Sequence, residues 1–113
     1  EHDQRLELAR ACLNQTWMAE APAQVVISAV YSRVTAKYGA RGEQYTHMEA
    51  GCASQNLALA AAAMNLGTVI VGAFNEGKLQ QALQAPDQEI PLMVMPVGPL
   101  LIQEIRRNTL IEE

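Results

Sequence analysis

The residues best suited to chemistry are concentrated in one stretch of the sequence, SRVTAKYGARGEQY, which runs from Ser32 to Tyr45. It combines basic side chains and tyrosines with two glycines, and it shows little apolar periodicity. We therefore predict a loop or a broken helical turn. Most connections in compact domains have about 4–6 residues, and longer ones are often functional. This segment is the first place to look for a site.

Polar residues also stand out in the segment that follows, EAGCASQNLALAAAAMNLG, from Glu49 to Gly67. We predict a helix that begins near Glu49, because the exposed N–H groups at a helix amino terminus stabilise a carboxylate. Its alanines and leucines make it apolar almost all round, as in a helix enclosed by other elements. Gln55 and Asn56 are then expected to be buried amides that need hydrogen-bond partners.

Composition narrows the class of protein. The 113 residues are 50% hydrophobic, which predicts one globular domain. Twelve acidic and eight basic residues give a formal charge of −4, which argues against a nucleic-acid partner. No apolar run reaches the ~18 residues of a membrane-spanning helix, so we expect no membrane partner. Cys12 and Cys52 show no metal-ligand spacing, so we expect two free thiols in the cytosol and no metal.

The elements that must position these residues follow from periodicity. We predict a first helix over about residues 3–18, a short helix at Glu76–Leu83, and three apolar strands, at Val25–Tyr31, at Thr68–Phe74 and from Ile90 to near Pro96. The first strand is expected to be buried on both faces. The alternation of strands and helices suggests an α/β layer arrangement. Because three strands would be poorly covered, we expect an upstream segment or a second subunit to complete the sheet.

Three ordered blocks of sequence resemble a known family. They are E-A-G-x-x-x-Q-N-L from Glu49, L-G-T-V-x-x-G-A-F from Leu66, and P-L-x-x-x-P-V-G from Pro91. In this order, over about residues 5–98, they resemble the carboxy-terminal part of the nitroreductase-like flavoproteins, most of all the streptolysin-type, thiazole/oxazole-forming dehydrogenase branch.

The resemblance implies an FMN-dependent oxidoreductase on an α+β fold, with a mostly antiparallel sheet between helical layers. It replaces the α/β expectation, since periodicity cannot show strand direction. It also implies a homodimer with flavin at the interface and a small-molecule or peptide substrate, with hydride passing between the flavin and NAD(P)H or that substrate. The segment matching Val71, Gly72 and Ala73 would bring backbone to the flavin ring, and Glu49 belongs to the cofactor-binding set.

Further residues are carried over from the resemblance. In the azoline-forming branch a Lys-Tyr pair takes part in proton transfer, and Lys37 and Tyr38 stand at the matching place. Arg41 and Tyr45 belong to the same block. A basic residue near the carboxy terminus closes the phosphate site in some relatives, which points to Arg106 or Arg107.

The sequence departs from the family pattern in two ways. Cys52 replaces the histidine usual after E-A-G, and the amino-terminal arginine-rich segment that grips the FMN phosphate is absent from residues 1–113. We therefore expect part of a nitroreductase-like domain, with three functions open. The intact protein is a flavoenzyme, or the chain is a truncated, non-catalytic subunit that completes a partner, or it is a fragment without a separate function.

Overall fold

The computed structural model describes residues 2–100, and within them helices and strands alternate along the chain. The elements, in order, are α1 (Arg5–Ala11), a 3-10 helix (Thr16–Glu20), β1 (Ala23–Ala29), α2 (Ser32–Tyr38), α3 (Arg41–Ala63), β2 (Leu66–Thr68), α4 (Glu76–Leu83) and β3 (Ile90–Pro99).

The three strands of the described residues form one antiparallel sheet in the order β1-β3-β2. Val26 lies opposite Val94 in the β1–β3 pair, and Gly67 lies opposite Gly98 in the β2–β3 pair. The antiparallel pairing confirms the α+β expectation, and the α/β layer arrangement is wrong. Strand β3 lies at the centre because its apolar run is long enough to pair with both neighbours.

Both faces of the central strand are covered. Val94 and Met95 are adjacent in β3 and fully buried, and adjacent side chains of a strand point to opposite faces. Val94 belongs to a core shared with α1 and α4, which includes Leu8, Met18 and Leu79. The long helix α3 contacts all three strands. Strand β1, by contrast, is mostly half-buried, so the expectation of burial on both faces is wrong for it.

The first helix is shorter than predicted. It ends at Ala11, and Leu13 and Asn14 follow with φ values of 57° each, in the left-handed region that cannot continue an α-helix. The chain then resumes as the 3-10 helix. Apolar spacing alone suggested one continuous helix, because Leu13 and Trp17 continue the helical spacing of Leu6 and Ala9 across the break.

The largest correction concerns residues 32–45, which are helical rather than a loop. Helix α2 ends at Tyr38. Gly39 follows with φ of 62° and ψ of −149°, a combination that is readily adopted only by glycine, and α3 begins at Arg41. Gly42 is a buried helical residue at a close approach. An added Cβ there would lie 2.9 Å from the Thr35 Cα and 2.9 Å from its backbone nitrogen. One of the two glycines therefore turns the chain, and the other lets two helices touch.

Helix α3 is buried along a single stripe. Its buried residues are Gly42, Thr46, Ala50, Ser54 and Ala61. The hydroxyls of Thr46 and Ser54 donate to backbone oxygens one turn earlier, those of Gly42 and Gly51, at 2.9 and 2.7 Å. Gln55 and Asn56 are exposed in the single chain, as are most of the alanines, so the expectation of an enclosed helix with buried amides is wrong for this chain alone.

The second strand is also shorter than predicted. It spans Leu66–Thr68, and Val69 and Ile70 then leave the sheet with half-exposed side chains. The chain touches the sheet again at Val71, which forms an isolated bridge with Val94. The third strand runs past its predicted end near Pro96 to Pro99, because Val97 still pairs with Ala23 of β1 and Thr68 of β2. The short helix α4 matches its prediction. Helix α4 begins at the predicted residue because the Asn75 side chain accepts a hydrogen bond from the Lys78 N–H.

Candidate functional site

Four of the residues singled out from the sequence meet where α2 joins α3. We call Lys37, Tyr38, Arg41 and Tyr45 the tyrosine cluster. The rings of Tyr38 and Tyr45 pack edge to face, with centroids 5.3 Å apart and planes at 87°. The Lys37 Nζ lies 5.2 Å from the Tyr38 ring centroid. The Arg41 Nε–H donates to the Tyr45 hydroxyl oxygen at 3.1 Å.

Local structure explains why these side chains meet. Arg41 and Tyr45 are four residues apart in α3 and therefore lie on one face of the helix. Gly39 turns the chain back so that the end of α2, which carries Tyr38, lies against that face. Because Gly42 has no side chain, the two helices come close enough for the tyrosine rings to touch.

The tyrosine cluster borders an open cleft. The cleft has a volume of about 510 Å³ and is lined by Val34, Tyr38, Tyr45, Met48 and Glu49. Tyr38 is half-exposed, so the cleft wall that it forms is open to solvent. An aromatic wall with a carboxylate on one side and two cations nearby can accept a flat ring and exchange a proton with it.

Glu49 has a different structural position from the one predicted. It lies within α3, which begins at Arg41, so it does not cap a helix amino terminus. The sequence did not reveal the earlier start of the helix, because the first two turns of α3 carry mostly polar residues and therefore do not show the apolar pattern that follows Glu49. Its carboxylate instead lines the cleft beside Tyr38 and Tyr45.

The second predicted group, Val71, Gly72 and Ala73, forms a separate surface. Val71 is buried and exchanges two backbone hydrogen bonds with Val94, at 2.8 and 2.9 Å, which fixes the segment against β3. Gly72 and Ala73 are exposed, and a Cβ added to Gly72 would meet nothing within 4 Å. The backbone here is therefore held firmly and open to close approach from outside.

The predicted residues thus form two groups. Lys37, Tyr38 and Glu49 come together at the α2–α3 junction, and the Val71–Ala73 segment does not line their cleft. Arg106 and Arg107 lie outside the described residues.

A tyrosine–histidine pair was missed from the sequence. The Tyr31 hydroxyl and the His47 Nε2 are 2.6 Å apart, and their rings pack edge to face. Partial burial raises the pKa of Tyr31, and the nearby carboxylates of Glu43 and Glu76 raise it further. The two residues are 16 positions apart, Tyr31 just before α2 and His47 within α3, and no spacing rule pairs them.

A larger cleft lies away from both groups. It has a volume of about 680 Å³ beside β2 and the 3-10 helix, where Trp17, Pro22, Thr68 and Pro96 are among its lining residues. None of the predicted site residues that fall within residues 2–100 lines it.

Residues 2–100 show neither a metal-binding cluster nor a membrane-spanning helix. In that range, no three or more histidine, cysteine or acidic side chains are placed to hold a metal ion. No described helix combines the length and apolar character that crossing a bilayer requires. Both cysteines are free, with Cys12 buried and Cys52 exposed, which confirms the prediction of two thiols.

Comparison with known proteins gives one consistent result. Residues 1–99 match the model of the nitroreductase family. A provisionally named nitroreductase of Methanocaldococcus jannaschii is 47% identical over 92 residues, which cover 81% of this chain and 46% of that protein.

Solved structures agree in fold. A provisionally named nitroreductase from Anabaena variabilis superposes with a TM-score of 0.79 at 32% identity, covering 87% of this chain and 20% of its own. The NADPH:FMN oxidoreductase of Vibrio harveyi, solved with NAD+, superposes with a TM-score of 0.71 at 25% identity. The match covers 85% of this chain and 45% of that one. The chain therefore spans about half the length of the curated relative it matches.

Proposed function

The chain belongs to the nitroreductase family, and from this membership we propose that the intact protein is an FMN-dependent oxidoreductase. Hydride would pass between bound flavin and NAD(P)H or an organic substrate. The observation that carries the proposal is the family match over residues 1–99, together with a fold shared with an NADPH:FMN oxidoreductase. We further propose that residues 1–113 belong to a single nitroreductase-like domain.

The Val71–Ala73 segment fits the ring of a flavin. A flat ring can lie against backbone only where no side chain intervenes, and Gly72 leaves that space open. The two hydrogen bonds to Val94 would keep the segment in place when a ring packs on it. For the phosphate we propose Arg107, on the family resemblance alone. A bound flavin would supply the hydride acceptor or donor.

The Lys37–Tyr38 pair supports a finer proposal, the azoline-oxidising branch. Conversion of an azoline to an azole removes two hydrogens from the ring, one as a proton and one as a hydride. The Lys37 amine or the Tyr38 hydroxyl would take the proton, since both reach solvent and lie beside the cleft. Glu49, on the cleft wall, would bind the flavin or orient the substrate.

A second stripe on α3 supports a homodimer. Met48, Cys52, Gln55, Leu59 and Ala62 are all exposed and follow the alternating four- and three-residue spacing of a helix–helix seam. At 100° per residue this stripe lies opposite the buried one. We propose that a second copy of the chain covers it, and that the protein works in the cytosol, where Cys12 and Cys52 stay reduced.

The test is uptake and reduction of FMN by the intact protein. After incubation with FMN and removal of the excess, the protein should keep an absorption band near about 450 nm, set by the cofactor itself. Anaerobic addition of NADPH or of a thiazoline-containing peptide should bleach that band. A protein that takes up no FMN would contradict the proposal and would favour the alternative, a truncated, non-catalytic subunit that completes a partner chain.

A further inference from the structure

Arg41 makes two contacts with one tyrosine and forms no ion pair with an acidic side chain among the described residues. Its Nε–H donates to the Tyr45 oxygen at 3.1 Å, and its guanidinium carbon lies 5.7 Å from the Tyr45 ring centroid. The ion pairs in residues 2–100 are those of His2 with Glu7 and of Arg5 with Asp3. Both contacts of Arg41 are therefore with Tyr45.

Tyr45 in turn is the neighbour that sets the position of Tyr38. Its ring meets the Tyr38 ring edge to face at 5.3 Å, a geometry in which a small rotation of one ring changes the contact of the other. Tyr38 is at the last residue of α2 and half-exposed, so it has few other restraints. The orientation of the Tyr38 hydroxyl thus depends on Tyr45, and that of Tyr45 on Arg41.

We propose that Arg41 is a positioning residue for Tyr38, acting through Tyr45. The hydrogen bond from Arg41 fixes the Tyr45 ring, and this ring holds Tyr38 in one orientation at the cleft. The inference rests on the proposed function in assigning the Tyr38 hydroxyl to proton transfer. It adds Arg41 and Tyr45, which contact neither the transferred proton nor the flavin and nevertheless set the rate of substrate oxidation.

The chain offers a direct spectroscopic test, because it contains three tyrosines, Tyr31, Tyr38 and Tyr45. We would record the ring 1H–13C signals of the intact, tyrosine-labelled protein and assign them with single Phe variants. Arg41→Gln and Tyr45→Phe should shift the Tyr38 signals in the same direction. The double variant should shift them no further, since both changes remove the same hydrogen bond. Tyr45→Phe keeps the ring, so only its reorientation can move Tyr38.

Matched controls come from the same region. Arg33→Gln removes an exposed cation from α2, and Tyr31→Phe removes a hydroxyl bonded to His47, outside the tyrosine cluster. Both should leave the Tyr38 signals unchanged. The inference is overturned if Tyr38 signals stay at their wild-type positions in Arg41→Gln and Tyr45→Phe, or if the two controls move them as much.

Kinetics on the FMN-loaded protein separate this inference from the proposed function. Arg41→Gln and Tyr45→Phe should lower kcat for a thiazoline-containing peptide on the order of ten- to a hundredfold with little change in KM, as misplaced catalytic groups do. If kcat falls in Tyr38→Phe but keeps its wild-type value in Arg41→Gln, the positioning role of Arg41 is overturned. Shifted Tyr38 signals with a normal rate in Tyr38→Phe would uphold the positioning of the ring and overturn the catalytic role of Tyr38.

Discussion

At the scale of single residues, the chemistry of the proposed site depends on side chains that reach solvent. Lys37 and Tyr38 are exposed, and the amine lies close to the tyrosine ring. Neither contributes to the core, so their replacement should change reactivity and leave the fold intact. This separation makes the pair a clean target for mutation.

The first prediction concerns Lys37. Lys37→Ala should keep flavin affinity and slow oxidation of a thiazoline-containing peptide by about a hundredfold or more, the usual contribution of a positioned acid or base. Arg33→Ala is the matched control, since it removes another exposed cation of α2 and should leave the rate unchanged. An unaltered rate in Lys37→Ala, measured by steady-state kinetics, would make Lys37 an ordinary surface lysine.

At the scale of elements, the α2–α3 junction decides where the site residues lie. Helix α3 has 23 residues, so it is about 35 Å long and carries Arg41 and Tyr45 of the tyrosine cluster together with the exposed stripe that we propose as the dimer seam. Gly39 makes the turn and Gly42 the contact, as the fold shows. The close approach of α2 to α3 is therefore the structural condition for the Tyr38–Tyr45 contact.

The second prediction compares two glycines of α3. Gly42→Ala should lower the free energy of unfolding by roughly 1–3 kcal/mol, because its Cβ would press on the backbone of Thr35 and Val34. Gly51→Ala should raise it by roughly 0.5–1 kcal/mol, since a Cβ there meets nothing within 4 Å and alanine favours the helix. Urea denaturation measures both. Equal effects of the two substitutions would contradict the tight contact.

Some elements could be predicted from the sequence, but the helices on either side of the α2–α3 junction could not. The bounds of α4 could be predicted from the sequence, because Asn75 is a good cap and the apolar spacing is regular. The antiparallel sheet came from the family resemblance, since a run such as that of β3 does not reveal strand direction. The helices at residues 32–45 were missed because glycine is taken as a breaker, and a buried helical glycine such as Gly42 cannot be told apart without its neighbour.

The candidate site shows the same limit. The Lys37–Tyr38 pair could be identified from the family resemblance. That Tyr38 and Glu49 line the same cleft could not be predicted, because Glu49 was expected to cap a helix. The Tyr31–His47 pair joins distant residues, and only the path of the chain between them brings the two rings together.

At the scale of the whole molecule, the single chain is extended and leaves apolar surface exposed. Its radius of gyration is 16.7 Å, whereas a compact domain of about 100 residues has about 13 Å. Met48, Leu59 and Met64 of the α3 region are each more than half exposed. A surface of this kind is typical of a protein that associates.

The third prediction tests this association through the seam. Leu59→Asp should weaken self-association at least about tenfold, because a carboxylate at the centre of an apolar contact has no partner there. Leu13→Asp is the matched control, an equally exposed leucine off α3 whose positive φ an aspartate accepts readily. Sedimentation velocity over a range of concentrations measures both. A dimer that survives Leu59→Asp unchanged would place the interface elsewhere.

The measurement that tests the central claim most directly is titration with riboflavin and with FMN, monitored by the loss of flavin fluorescence. Riboflavin has no phosphate, so its binding does not depend on the phosphate site and includes the ring contact at Val71–Ala73. We predict that wild type and Gly77→Leu bind both flavins, and that Gly72→Leu binds both at least about tenfold more weakly, because its side chain occupies the ring surface. Gly77 is the matched control, an exposed glycine of α4. Equal affinity of Gly72→Leu and wild type for riboflavin would contradict the account.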